Sequence, residues 1–569
     1  MVLRRTLVFT AALVLAAVGS HAADVQQPTT ESIDLNAYNA IREEGLQRSH
    51  IMDYAGGLID GIGPRLTGSP NMAKANAWTR DQLTKMGCVN AHLEDWGEFG
   101  MGWQQLNTWV RMTEPDTAVF VAQATPWSPA TNGPVTAQAV SVVVNESGDM
   151  AKYKGKLSGK IVLLGAMRDV PVPDKPFFER YSDKDLKELE SLPLENEQAE
   201  TQARMERSVK RYKLMSELVP FLAEEKVVAV IVPSRDGQNG GGTGIIFDDN
   251  GADLGRMPYH RDTAVPFPVV VTQIESYGRV FRLLANHVPV SLEMDVETKF
   301  TGDHEHGFDT VAEIPGTDPA LKDEVVMVGG HLDSWISGTG ATDNGAGSIV
   351  AIEVMRILNA LKVKPRRTIR IALWTGEEGG LFGSRGYVTQ HFGSFPRSTA
   401  PDQMLLSEYS RKPAGPLTLK PEQKLISAYF NVDNGTGRIR GVYTQGNAAV
   451  DSIFAQWMAP LKDLGVTTIS NRDTGGTDHL SFDAVGIPGF QFIQDPMDYG
   501  TRTHHSNMDT YERLQPADLK QMAVVEAIFV YNAAMREQMI PRKPLPHPEL
   551  MEEQTKPLTD LYPTAVLPE

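Results

Sequence analysis

Residues 324–333 read Glu-Val-Val-Met-Val-Gly-Gly-His-Leu-Asp, and residues 368–378 read Thr-Ile-Arg-Ile-Ala-Leu-Trp-Thr-Gly-Glu-Glu. Each is a short apolar run that ends in ionisable residues. Apolar runs of this length, bounded by Gly, read as strands buried on both faces. Between them, residues 346–361 carry the apolar repeat of a helix, and another helix is expected from Leu381. Strand, helix, strand, helix is the alternation of an α/β fold with a central, mostly parallel sheet flanked by helices. In such sheets ligands gather beyond the carboxyl ends of the strands.

Two more apolar runs extend the pattern. Residues 428–432 lead into Asp433, and residues 489–493 precede the loop with His504 and His505. Asp343 stands in a Gly-flanked turn, Ala-Thr-Asp343-Asn-Gly-Ala-Gly. Taken singly, each string has a bland explanation: a surface His-Asp pair, a solvated Glu-Glu, an incidental doubled His. In order, and at the ends of four separate strands, they point to one site. Two histidines with several carboxylates suit a pair of zinc ions, and an extra glutamate that binds no metal suits a general base. One carboxylate can bridge two ions. Asp333, two residues past His331, is placed to accept from that ring's N–H. Glu377 and Glu378 are adjacent, so in an extended segment their side chains point apart. One can bind metal while the other faces a water, and this reading leaves open which does which.

Composition narrows the class. The chain has 569 residues, enough for two or three domains, with 41% hydrophobic and 22% charged residues. The net charge is −17, which argues against nucleic acid and anionic membranes as partners. Residues 1–22 read as a secretory signal: Arg4–Arg5, an apolar run over 7–18, and small residues at Ser20 and Ala22. No later stretch is apolar enough for a membrane span. Cys88 is the single cysteine, which excludes an internal disulfide and a cysteine-based zinc site. A secreted or periplasmic bacterial protein is expected.

The organisation expected along the chain is a leader (1–22), a first α/β part (23–125), a strand-rich insertion (126–299), the main α/β part (300–540) and a Pro-rich tail (541–569). Helices are expected over 32–61 and 71–86, and a strand over 91–96. Within the insertion, strand-like runs fall at 140–144, 160–164, 227–232, 265–271 and 290–295. The charged stretch 183–225 reads as one or two exposed helices. Residues 237–244 are a Gly-rich loop without the Lys-Ser/Thr ending of a phosphate-binding fingerprint. Residues 390–423 read as a long loop that either covers the cleft or lies at the surface, and a last helix spans 516–539.

Several strings carry a family resemblance: His331-Leu-Asp-Ser-Trp335, Asp343-Asn-Gly-Ala-Gly, Thr-Gly-Glu377-Glu378, Asp433, Thr-Asp478-His479-Leu-Ser-Phe482, and His504-His505-Ser-Asn-Met-Asp509-Thr. With them the chain resembles the co-catalytic two-zinc exopeptidase family that includes bacterial leucyl aminopeptidases, aminopeptidase Y and carboxypeptidase Q. The resemblance covers residues 32–125 and 300–540, and the segment between is similar to the protease-associated domain inserted in this family's fold. It implies two Zn2+ ions bridged by Asp343, with His331 and Asp433 completing one site and Glu378 and His505 the other. It implies Glu377 as general base and a cis peptide bond between Asp343 and Asn344. The ligand of the last motif is followed by Ser/Thr and, four on, by Asp, which selects His505. His504 is then a candidate donor to the tetrahedral oxyanion. Asp333, Asp478 and Asp509 are expected to support the ligands, with Asp478 and His479 as a hydrogen-bonded pair.

The expected activity is exopeptidase hydrolysis of short peptides or dipeptides, from the amino end or in the manner of a carboxypeptidase Q-like dipeptidase. Family members vary in assembly, which leaves a homodimer open. Two rivals share the fold: a glutaminyl cyclase-like aminoacyltransferase, separated by metal stoichiometry, and a binding protein that has lost catalysis, against which the intact set of strings argues.

Overall fold

The computed structural model describes residues 27–192, 197–247, 254, 257–406 and 408–547. The expected leader (1–22) lies outside these residues, as does most of the expected tail. From the N-terminus the strands are β1 (Val89–Glu114), β2 (Ala118–Phe120), β3 (Ala122–Ala124), β4 (Val135–Val142), β5 (Ile161–Leu164), β6 (Ala229–Pro233), β7 (Val269–Thr272) and β8 (Ser291–Ile314). They are followed by β9 (Val325–His331), β10 (Thr368–Trp374), β11 (Gly393–Ser394), β12 (Thr418–Leu419), β13 (Ile426–Asn431), β14 (Ile439–Tyr443), β15 (Thr468–Ser470) and β16 (Gly489–Gln494).

The expected α/β architecture is present. One twisted sheet runs β15-β14-β16-β13-β9-β10-β8-β4-β5-β6-β7-β3. At its centre β16, β13, β9 and β10 are mutually parallel. Their residues are almost all buried, because helices cover both faces. Helices Ala346–Ala360 and Pro516–Met535 pack on one face, and the second is apolar nearly all round, as a helix enclosed by others must be. Trp374, Tyr387, Tyr429 and Phe482 form an aromatic layer on the other. Among the described residues, no helix is long and apolar enough to cross a membrane.

Local sequence explains most boundaries. Helix Pro70–Lys85 begins where Ser69 accepts from the Met72 N–H and Pro70 needs no N–H partner. The helix expected over 32–61 is broken. Leu35–Gln47, capped by Asp34, is followed by Ile51–Ala55 and a wider turn over Gly56–Asp60. Gly57 faces the indole of Trp78 there, leaving no room for a side chain. The strands expected over 91–96 and 290–295 are far longer. β1 and β8 form a bulged antiparallel ribbon whose polar residues gave no apolar run to read. β8 runs unbroken through the expected boundary at 299/300 and pairs with both β10 and β4. The insertion's sheet therefore continues that of the C-terminal half. The 390–423 stretch is irregular apart from the β11–β12 pair and short turns.

Candidate metal centre

His331 ends β9, Glu377 and Glu378 follow β10, Asp433 follows β13, and His505 lies on the loop after β16. Because these four strands are parallel, one edge of the sheet receives every one of these residues. Asp343 enters from the turn before helix Ala346–Ala360, and its peptide bond to Asn344 is cis.

Asp343 is the geometric centre. Its Oδ1 lies 3.2 Å from His331 Nε2, and its Oδ2 lies 3.2 Å from His505 Nε2. His331 Nε2 is also 3.3 Å from Asp433 Oδ1, and His505 Nε2 is 2.9 Å from Glu378 Oε2. His504 stands farther off, its Nε2 3.8 Å from Asp343 Oδ2. Its ring stacks on His505 at 3.8 Å and packs against Tyr499 at 4.9 Å. Trp335 meets His505 edge-on at 5.8 Å.

The turns that deliver these groups are held by their neighbours. Gly347 has no room for a Cβ, which would lie 2.1 Å from the Val432 carbonyl oxygen, so the helix start sits directly on the end of β13. Asn344 completes the contact by donating to the Val432 carbonyl (2.8 Å) and accepting from Gly347 N–H (2.8 Å). Ser348 donates to the His331 carbonyl at 2.7 Å.

The supporting carboxylates divide their work differently from the sequence expectation. Asp333 meets the His331 ring chiefly through its backbone carbonyl, 3.1 Å from Nδ1, with its carboxylate at 3.5 Å. That carboxylate accepts instead from the Glu377 and Glu378 backbone N–H groups (3.2 and 3.4 Å) and from the Thr67 hydroxyl (2.8 Å). It fixes the Glu-Glu turn. Asp509 does the same for the bridging turn, accepting from the backbone N–H of Thr342 (2.6 Å) and of Asp343 (3.1 Å). The expected pairing of Asp478 with His479 is corrected. His479 Nε2 turns to the Thr474 carbonyl at 3.1 Å, and both Asp478 carboxyl oxygens are buried without a hydrogen-bond partner. Asp478 immediately precedes the short helix His479–Asp483 and makes no capping hydrogen bond to it.

Arg65 escaped the sequence reading. It is fully buried and donates to the carbonyls of Leu332 (2.7 Å), Thr339 (2.8 Å) and Gly340 (2.7 Å), tying together the loops that carry His331 and Asp343. Its only sequence signal is an arginine inside an apolar Gly/Pro turn, Ile-Gly-Pro-Arg65-Leu.

The charge balance of the site asks for cations. Burial pushes the carboxyls of Glu378, Asp478 and Asp509 up to about 7, and it pushes Glu377 well above the carboxylate range. Burial also opposes ionisation of Asp343, but His331 and His505 outweigh it and hold that carboxyl well below its usual value. His331 Nε2, Asp343 Oδ2, Glu378 Oε1 and Asp433 Oδ1 are all buried without a hydrogen-bond partner. Nitrogen and oxygen donors crowded together with their lone pairs unused fit zinc, whose positive charge would stabilise carboxylates that burial alone disfavours.

The chain is similar to known peptidases. Residues 309–530 match Peptidase family M28. Carboxypeptidase Q of Mus musculus is 25% identical over 517 residues, 90% of this chain and 90% of that protein. Carboxypeptidase Q of Rattus norvegicus is 29% identical over 283 residues, which is 50% of this chain and 53% of the rat protein. The crystal structure of a peptidase M28 precursor from Shewanella amazonensis SB2B superposes with a TM-score of 0.62 at 22% identity, covering 90% of this chain and 98% of that one. A zinc aminopeptidase from Bacillus subtilis superposes with a TM-score of 0.50 at 18% identity, over 86% and 95% of the two chains.

Proposed function

We propose that this chain, whose residues 309–530 match peptidase family M28, is an exported zinc-dependent exopeptidase that hydrolyses short peptides or dipeptides. The observation that carries the reading is the placement of Asp343, each of whose carboxylate oxygens faces a different histidine. A carboxylate so placed suits a bridge between two ions. His331 and Asp433 would hold one, and Glu378 and His505 the other. When bound, such ions supply Lewis-acid polarisation of a carbonyl and a water of lowered pKa.

The chain's own groups do the rest. Glu377 takes the proton of the attacking water and returns it to the leaving amine. Its backbone is fixed by Asp333, which leaves its side chain to this task. His504 stands beside Asp343 with its ring packed on His505 and Tyr499, a placement that suits a donor to the oxyanion that forms at the scissile carbonyl. Asp333 and Asp509 hold backbone turns rather than substrate. Export rests on the leader pattern of residues 1–22. Residues 126–299 keep their reading as a protease-associated-type insertion, supported by a parallel sheet β4–β7 with an apolar core of its own.

The test is zinc content per chain, measured alongside hydrolysis of unblocked and N-acetylated dipeptides. Two zinc ions with cleavage of the unblocked peptides alone is the expected result, and it means that the free amine is recognised. One zinc and no hydrolysis would overturn the reading and the bridging role of Asp343.

A further inference from the structure

The loop that carries His504 and His505 is gripped from outside the peptidase half. On one side lies the Gly-rich stretch 235–247 of the insertion. Asn507 N–H donates to the Ile246 carbonyl (3.0 Å), and Ile246 N–H donates back to Asn507 Oδ1 (2.9 Å). Phe247 forms an antiparallel bridge with Ser506. Arg235 Nη2 donates to the His504 carbonyl at 3.1 Å, while its guanidinium lies over the Phe247 ring at 4.4 Å. Gly241 passes so close that a Cβ there would lie 2.0 Å from the Thr501 carbonyl oxygen. The glycines of this stretch let it pack down on the loop.

On the other side runs a strap from the same insertion. Glu179 and Met497 exchange backbone hydrogen bonds of 2.9 and 2.8 Å, and Thr501 donates to the Phe177 carbonyl at 2.5 Å. Arg180 donates to buried Asp495 (2.8 Å) and pairs with Asp518 (2.7 Å), which anchors the strap to the sheet.

The loop has reason to need this grip. His505 sits in the left-handed region with φ of 59°, which costs a non-glycine residue roughly 1 kcal/mol. The path from β16 to helix Pro516–Met535 has only two single turns of its own, Tyr499–Thr503 and Tyr511–Arg513, and His505 falls between them. The other half of the site differs: His331 and Asp433 sit at the ends of central strands, fixed by Asn344 and Ser348.

We propose that the insertion is the scaffold of the His504–His505 loop, with Asn507, Ile246 and Gly241 as positioning residues, so that the metal position made by Glu378 and His505 depends on contacts with 235–247 while that made by His331 and Asp433 does not. This rests on the two-ion reading above. Partners that orient a ligand are worth roughly 10–100-fold in metal affinity. Asn507 reaches neither the ions nor substrate in this scheme and acts through the loop alone.

The experiment compares the full chain with Asn507→Ala and Asn507→Asp, the second keeping an acceptor for Ile246 N–H. Zinc stoichiometry and affinity are read by titration from the apo protein, and hydrogen exchange is followed over 499–509 and 331–344. In Asn507→Ala, one zinc should bind about 10–100-fold more weakly and the other unchanged. Exchange should rise over 499–509 only, and Asn507→Asp should restore both readings. Gly241→Ala, which pushes on the same loop through Thr501, should behave like Asn507→Ala. Folded variants with wild-type zinc binding and unchanged exchange over 499–509 would overturn the scaffold. A wild-type chain that binds fewer than two ions would instead overturn the two-ion reading, and the exchange data would still decide the scaffold.

Discussion

Glu377 and Glu378 are neighbours with identical chemistry, and only their surroundings separate them. Glu378 lies 2.9 Å from His505, whereas Glu377 is half-buried, its carboxyl pushed up by desolvation and by the nearby carboxyls of Asp433, Asp478 and Glu378. A substitution that keeps shape and removes basicity tests the division. Glu377→Gln should lower kcat by roughly 10²–10⁴, the usual weight of a general base, with zinc content unchanged. Loss of zinc in this variant would mean that Glu377 is a ligand, and near-normal turnover would mean that the base lies elsewhere. The sequence made the acids visible because carboxylates at strand ends are unusual. It did not reveal Arg65, because an arginine is exposed by default and only the fold shows four loop carbonyls converging on its guanidinium. Nor could spacing reveal that Asp333 holds the Glu-Glu turn, since that turn is brought to it by the neighbouring strand.

Element by element, legibility follows burial. The central strands were read to within a residue or two because they are covered on both faces and so must be apolar throughout. The β1–β8 ribbon was read at the buried start of β8 and over a half-buried stretch of β1. The exposed middle of β8, with His304 and His306, carries no apolar alternation, and the buried middle of β1 over 99–103 alternates with glycines. The strap over 166–182 has no periodicity, and the partners of Phe177 and Arg180, Thr501 and Asp495, lie more than 300 residues away in the chain. One such long-range contact carries a pH signature. His391, the last residue of helix Phe382–His391, pairs with Glu94 on β1. The hydrogen bond to Glu94 raises the His391 pKa, and for Glu94 the same contact outweighs burial and lowers the carboxyl. The histidine's share is whole below its unfolded value of about 6.5 and is lost as pH rises through its folded value. The glutamate's share is whole above about 4.3 and fades as pH falls through its lowered value. The pair is half-exposed, so its worth is about 1 kcal/mol at most. Urea unfolding of wild type and His391→Asn should therefore differ most near pH 5–6 and converge as pH rises through the raised folded value of His391. Parallel curves across that range would show that the pair adds nothing.

Across the whole molecule, the candidate metal centre joins parts that the chain keeps far apart. Arg65 and Thr67 come from the N-terminal part, Asn507 meets Ile246, and the candidate ligands come from four strands and a turn. Without cations, Asp343, Glu378 and Asp433 would crowd buried oxygens that have no hydrogen-bond donors. A buried charge left without its partner costs several kcal/mol, so the apo protein should be less stable even though every strand remains. Ions that bind the folded chain and not the unfolded one stabilise it by mass action, about 4 kcal/mol at a thousandfold excess over Kd. At roughly 1 °C per kcal/mol for a chain of this length, chelation should lower Tm by about 4 °C for each ion lost, and added zinc should restore it. The loss should also be ordered. Hydrogen exchange should rise first in the His504–His505 loop and the Asp343 turn, and last in β9 and β13, which the core holds from both faces. An unchanged Tm after verified removal of the metal would show that the fold tolerates these carboxyls unaided. Glu378, whose carboxyl burial raises to about 7, would then have to be neutral in the apo protein, and zinc uptake would release its proton, a release that a weakly buffered titration measures directly.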